Sequence, residues 1–205
     1  MKNAFLLIFC LGLSWNCLGQ QVIVLENPSF EGAPVTGIVP DGWINLGVSD
    51  ASPPDIQPGF FGVAERAEHR QTYVGLVTRD NNTWEGVGQK LSNPMLKDAV
   101  YEFSISLNRC NTYRSPTYSN RSIEVSFNSP TMLKIWGYNT KTNQEELLAE
   151  SQAVGHSNWT RYTFKLSPKL ADYDEIDLMA YYAPGYLETN GNLLIDNCSN
   201  IELIK

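Results

Sequence analysis

The chain has 205 residues, 42% of them hydrophobic and 11% aromatic, with 15 Lys and Arg against 22 Asp and Glu, a net charge of −7. That acidic balance argues against nucleic acid and anionic membrane surfaces as partners, because both demand basic patches. The length suits a short leader followed by one domain with a sizeable core.

The leader is read as a secretory signal. Lys2 supplies a positive start, residues 4–13 (AFLLIFCLGL) form an apolar run, and SWNCLG gives a small, polar tail. The run is too short to span a bilayer as a helix. Cleavage after Gly19 places Cys17 and Gly19 at the positions a signal peptidase inspects. Residues 1–19 are therefore predicted to be removed, leaving 20–205 as a single domain. A lipoprotein with Cys17 lipidated is the competing reading, although Trp15 and Asn16 are a poor match to the small residues such sites want. No second apolar run follows, so no membrane insertion is expected. The product is expected to be secreted or held at the extracellular surface, with the periplasm as the other compartment. Without the leader, 14 basic residues face 22 acidic ones, a net charge of −8.

From residue 21 the chain reads as strands. Runs rich in β-branched and aromatic residues occur at 21–26, 72–79, 85–91, 99–109, 121–127, 131–139, 159–167, 175–183 and 192–204, separated by turn clusters. In 101–108, Tyr101, Phe103, Ile105 and Leu107 point one way while Glu102, Ser104, Ser106 and Asn108 point the other. That alternation is the pattern of a half-buried strand. Only QEELLAE (144–150) carries a trace of helical spacing, and it reads as a hairpin or one short turn. About nine strands without a βαβ rhythm predict an all-β fold, a two-sheet antiparallel sandwich.

Two cysteines, Cys110 and Cys198, lie beyond the leader. In an exported protein such a pair can form a disulfide. The alternative is two unrelated buried thiols, each acting as a small hydrophobe.

Catalytic motifs are missing. The chain holds two histidines, His69 and His156, and neither GxSxG nor HExxH. The one acidic cluster, DYDEID (172–177), runs from a loop into a strand and reads as solvated charge. The chain is therefore read as no enzyme.

Binding fits the composition better. Four tryptophans and ten tyrosines lie beyond the leader, and sugar rings stack their apolar faces on such side chains. Trp43 and Trp159 read as packing residues. Strand parity singles out others. With Leu133 and Ile135 toward the core, Lys134, Trp136 and Tyr138 face outward. With Leu178, Ala180 and Tyr182 inward, Asp177, Met179 and Tyr181 face outward. Joined by Ser104, Ser106 and Asn108, these are predicted to line one concave sheet face. Trp84 in DNNTWEG, and Tyr113, Arg114 and Tyr118 in NTYRSPTY, would form its rim. The other reading of Trp136 puts it under a loop, in a second small core.

The order of motifs also carries a resemblance. NPSFE (27–31), PDGW (40–43), TYVGLVT (72–78), residues 87–107, SNWTRYTFKL (157–166) and GNLLIDNCSNIEL (191–203) follow one another as in the galactose-binding-like jelly-roll sandwiches. That group includes CenC-type carbohydrate-binding modules of bacterial glycan-degrading enzymes, and the chain is similar to secreted bacterial proteins built from this sandwich. The resemblance implies a structural calcium near the first and last strands, held by the glutamate of SFE and the aspartate of IDN, here Glu31 and Asp196. Ca²⁺ wants six to eight oxygens, which two carboxylates and loop carbonyls would begin to supply. The reading at this stage is an exported, non-catalytic protein that recognises glycan. The alternative is a structural or protein-interaction component of the cell surface, with a cell-surface protein as partner.

Overall fold

A computed structural model describes residues 21–49, 51–117 and 120–205. The expected signal over 1–19, and Tyr118 of the predicted rim, lie outside the described residues. Among the described residues there are fourteen strands and no helix, as the alternation patterns require.

One sheet holds seven strands. Its central strand is β6 (Tyr101–Asn108). Along one edge β6 pairs with β11 (Thr160–Leu166), from Thr160 opposite Leu107 to Leu166 opposite Tyr101. The other edge is shared by β13 (Gly191–Asp196) and β14 (Ile201–Leu203), which pair with its two ends. Beyond β13 come β4 (Tyr73–Thr78) and β3 (Asp55–Gln57), and β1 (Val22–Ile23) closes on β14. The second sheet runs β10 (Gln144–Glu150), β9 (Thr131–Asn139), β12 (Tyr173–Tyr182), β5 (Gly86–Met95), β2 (Ile44–Asn45). A two-stranded hairpin, β7 (Arg114–Pro116) with β8 (Glu124–Ser126), stands apart from both. Every strand pairing is antiparallel. Two stacked antiparallel sheets with the first and last strands side by side make a jelly-roll β-sandwich.

Period-2 alternation decides what fills the space between the sheets. Tyr101, Phe103, Ile105 and Leu107 of β6 meet Leu133 and Ile135 of β9 and Ile176, Leu178 and Ala180 of β12, all fully buried. A run of side chains this size, each worth about 1.5–3 kcal/mol on burial, supplies the main driving force for folding. The NPSFE and PDGW segments close one end of this core. Phe30 packs on Trp43 with ring centroids 4.7 Å apart, and the Trp43 indole N–H donates to the Asn27 carbonyl at 3.0 Å. The Asn27 amide holds both segments by donating to the carbonyls of Glu31 and Asp41. These motifs are structural: they fix the chain's entry into the sandwich.

The two sheets differ on their outer faces. Outside the seven-stranded sheet, Tyr73, Val77, Leu194, Cys110, Tyr113 and Phe127 form a second buried cluster. Among the described residues no comparable layer covers the five-stranded sheet. Cys110 thus lies in the outer cluster and Cys198 in the main core, on opposite sides of one sheet, and both are free thiols. The disulfide reading is corrected accordingly.

Several strands are shorter or more broken than expected. The run over 192–204 splits at Asn197, whose φ of 53° takes the backbone out of the extended region. The run over 121–127 is extended only at Glu124–Ser126. β2, β3 and β7 escaped notice because two or three residues show no alternation.

Candidate functional site

The uncovered face of the five-stranded sheet is built by register. β12 and β9 pair with Tyr181 opposite Met132, Met179 opposite Lys134, Asp177 opposite Trp136, and Glu175 opposite Tyr138. All eight therefore point to the same side, away from the core. The parity assignment of Trp136, Tyr138, Tyr181, Lys134, Asp177 and Met179 to an outer face agrees with this arrangement. At about 3.3 Å per residue the row from Tyr181 to Tyr138 extends about 20 Å. On β5 the positions opposite Met179 and Asp177 are Gly86 and Gly88, which add no side chain there, while Lys90 stands opposite Glu175. A Cβ on Gly88 would fall 2.6 Å from the Asp177 carboxylate, and one on Gly86 would fall 2.9 Å from the Met179 side chain. The two glycines let the β12 side chains lie flat across the sheet.

Aromatic rings occupy both ends of the row. Trp84, from the β4–β5 loop, packs edge-on against Tyr181 with centroids 4.7 Å apart, and the Lys134 ammonium lies 3.9 Å above the Tyr181 ring. At the other end the Tyr138 hydroxyl donates to Asn143 in the β9–β10 turn at 2.7 Å, which holds its ring in place. Trp136 sits between them, half-buried. Among the described residues its ring stacks on no other ring and its indole N–H meets no acceptor.

Between Leu46 and Tyr138 a depression of about 350 Å³ is lined by Glu145, Glu175, Asp177 and Met179. Here the reading of residues 172–177 as solvated charge is corrected. Asp172 and Asp174 do cap loops, accepting from the backbone N–H of Lys97 and of Thr140. Glu175 is buried and Asp177 is half-buried on the open face. Burial, followed by the charge of Glu175, pushes the Asp177 carboxyl up to about 7. Burial likewise raises Glu175, against the opposing pull of its hydrogen bond to Asp177 and of Lys90. Each carboxyl acts on the other's ionisation, so one proton between them converts repulsion into attraction. Asp177 Oδ1 has no partner among the described residues. Parity placed Asp177 on this face, and reading two residues further back along the strand would have found Glu175.

Other predicted site residues lie elsewhere. Asn108, Ser104 and Ser106 belong to β6, in the other sheet. Asn108 is buried, with its amide oxygen accepting from the Arg109 N–H at 2.8 Å. Tyr113 is buried in the outer cluster, where its hydroxyl donates to Asp55. Arg114 begins the β7–β8 hairpin, which shields that same cluster. None of these joins Trp136, because odd and even positions say which face of a strand a residue takes and not which sheet the strand enters.

Glu31 and Asp196 converge on one loop. Glu31 Oε1 accepts from the N–H groups of Gln71 and Thr72 at 3.3 and 3.4 Å. Asp196 accepts from the N–H of His69 at 2.9 Å and of Asn197 at 2.6 Å. Burial raises the Asp196 carboxyl to about 7, against these donors. Backbone N–H groups satisfy both carboxylates, and among the described residues no group of three or more His, Cys, Asp or Glu is placed to hold a metal ion. That donor set does not fit calcium, which coordinates oxygen.

No protein-family model matches the chain, and no curated protein matches it. Solved structures do. The xylan-binding CBM22-1 domain of Paenibacillus barcinonensis Xyn10C is 15% identical, with 91% of this chain and 96% of that one aligned at a TM-score of 0.54. A cyclase from Fischerella sp. TAU is 10% identical over 90% of this chain and 97% of that one, with a TM-score of 0.55. A second, the Stig cyclase Fisc in complex with a pyrrolidinylidene indole, is 11% identical over 90% and 98%, with a TM-score of 0.53. At these identities the likeness is one of fold: the jelly-roll sandwich of carbohydrate-binding modules.

Proposed function

We propose that this chain is an exported binding protein that takes a glycan chain along the open face of its five-stranded sheet. The observation that supports the reading is the row on β9 opposite β12: among the described residues Trp136 has no ring or hydrogen-bond partner, lies between the Trp84–Tyr181 pair and Tyr138, and stands opposite Asp177, with Glu175 and Glu145 opposite Tyr138. Stacking on a sugar's apolar face needs an accessible ring, and sugar hydroxyls need acceptors close by. Glu145, Glu175 and Asp177 offer such acceptors. A glycan array, followed by gel-retardation with soluble xylan, glucan and mannan, tests the proposal. Retardation that disappears in Trp136→Ala is expected. Absence of binding across the array would favour the alternative, a protein partner at the cell surface, which a pull-down from surface extracts examines.

A second reading is catalytic, and the Asp177–Glu175 pair favours it specifically. A carboxyl that stays protonated near neutral pH can act as a general acid. The cyclases described above share this fold, so the fold accommodates chemistry as well as binding. Incubation of any bound oligosaccharide with wild type and Asp177→Asn separates the readings. Turnover lost in the variant while binding persists would establish catalysis.

A further inference from the structure

A larger cavity lies on the other side of the molecule, under the β7–β8 hairpin. Its volume is about 510 Å³, within the range of small-molecule sites. Tyr113, Phe127, Phe61 and Val77 give it an apolar floor, with the Phe61 and Tyr113 rings stacked at 5.6 Å and 10°. Glycan binding on the opposite sheet makes no use of it.

Its polar groups are unevenly satisfied. The acceptors already have donors. Asp55 accepts from the Gly37 N–H at 2.8 Å and from the Tyr113 hydroxyl. Glu85 accepts from the Val77 N–H at 3.0 Å and pairs with Arg79. The donors are in excess. Arg79 is 6% exposed, and its Nη1 is buried with no acceptor among the described residues. Arg121, exposed on the cavity lining, forms no ion pair among the described residues. A buried guanidinium N–H left unpaired is costly, and a charged acceptor satisfies it best. The occupant that matches the two guanidinium groups and the aromatic floor best carries an oxygen anion on a flat, apolar body.

We propose that this cavity is a binding site for small aromatic carboxylates, with the carboxylate toward Arg79 and Arg121 and the rings against Tyr113 and Phe127. The volume suits a two-ring acid better than a one-ring acid.

Isothermal titration calorimetry with 2-naphthoate and its neutral analogue 2-naphthamide tests this. Saturable binding of naphthoate is expected, at least tenfold tighter than naphthamide. Arg121→Ala, at an exposed side chain, should weaken naphthoate several-fold and leave naphthamide unchanged. Ser115→Trp should fill the cavity and abolish both, with Thr117→Trp as a second blocking variant if the first fails to fold. Trp136→Ala should change neither, which separates this site from the glycan face. No saturable naphthoate binding, equal affinity for the amide, or binding that survives a folded blocking variant would each overturn the proposal.

Discussion

Asp177 on β12 and Trp136 on β9 are direct partners across the strand pair, so an aromatic ring and a half-buried carboxyl stand side by side on the outer sheet face. The pairing joins the two functions a sugar site requires, a stacking surface and a hydrogen-bond acceptor.

Replacing Trp136 with alanine should reduce glycan binding at least tenfold while lowering unfolding free energy by less than about 1.5 kcal/mol. A fully buried tryptophan would lose about 3–5 kcal/mol on the same truncation. Urea unfolding and affinity measurements on this one variant decide between platform and core, and a loss in the larger range would remove Trp136 from the site.

Asp177→Asn should stabilise the protein, and the gain should depend on pH. The carboxyl titrates at about 7 when folded, above its ordinary value of 3.8. The folded state therefore holds the proton more tightly, and wild type loses stability as pH rises from about 4 to 7. Asparagine cannot ionise and escapes that loss. The variant's advantage should be absent below pH 4 and reach on the order of 1 kcal/mol by pH 8, discounted because water reaches the open face. Urea unfolding at pH 4, 6 and 8 measures it; a difference that does not vary with pH would show that Asp177 is not the titrating group.

Asp196 carries a similarly raised carboxyl but should respond oppositely to the same substitution. It accepts backbone N–H groups through both oxygens, and an amide has a single acceptor. Asp196→Asn should destabilise the protein by about 1–3 kcal/mol at pH 8, and should loosen the 66–72 loop as read by amide exchange. Stabilisation by this variant would mean that those donors find other acceptors.

Chelator should leave the melting temperature unchanged. An ion held only by the folded state adds about 2.7 kcal/mol at a hundredfold excess over its dissociation constant. Such an effect would be plain in a melt with and without EDTA. A drop in melting temperature that Glu31→Gln abolishes would instead put calcium on Glu31 and Asp196, as the family resemblance implies.

Much of the fold can be read in the residues because alternation is a local property. Tyr101 through Leu107 announce a half-buried strand whatever lies beside it, and the same parity puts Trp136 and Tyr181 outside. Pairing is not local. Asn108 alternates as clearly as Tyr138 does, yet the two strands enter different sheets. The aromatic pattern around Tyr113 was visible too, but its burial depends on a second layer built from Val63, Tyr73 and Leu194, which are far apart in sequence. The Glu175–Asp177 pair was legible in spacing and hidden by charge, since a run of acidic residues usually marks a solvated turn.

The position of β13 between β4 and β6 bears on how the molecule is made. Neither neighbour can complete its hydrogen bonding until residues 191–196 have been synthesised, more than 80 residues after the end of β6. Contacts this distant in sequence slow folding, because a long loop must close before any gain is realised. Until then two adjacent strands present unpaired edges, the kind of surface that recruits other chains. A nascent chain stalled before Gly191 would therefore be a partner-seeking intermediate and not a smaller domain.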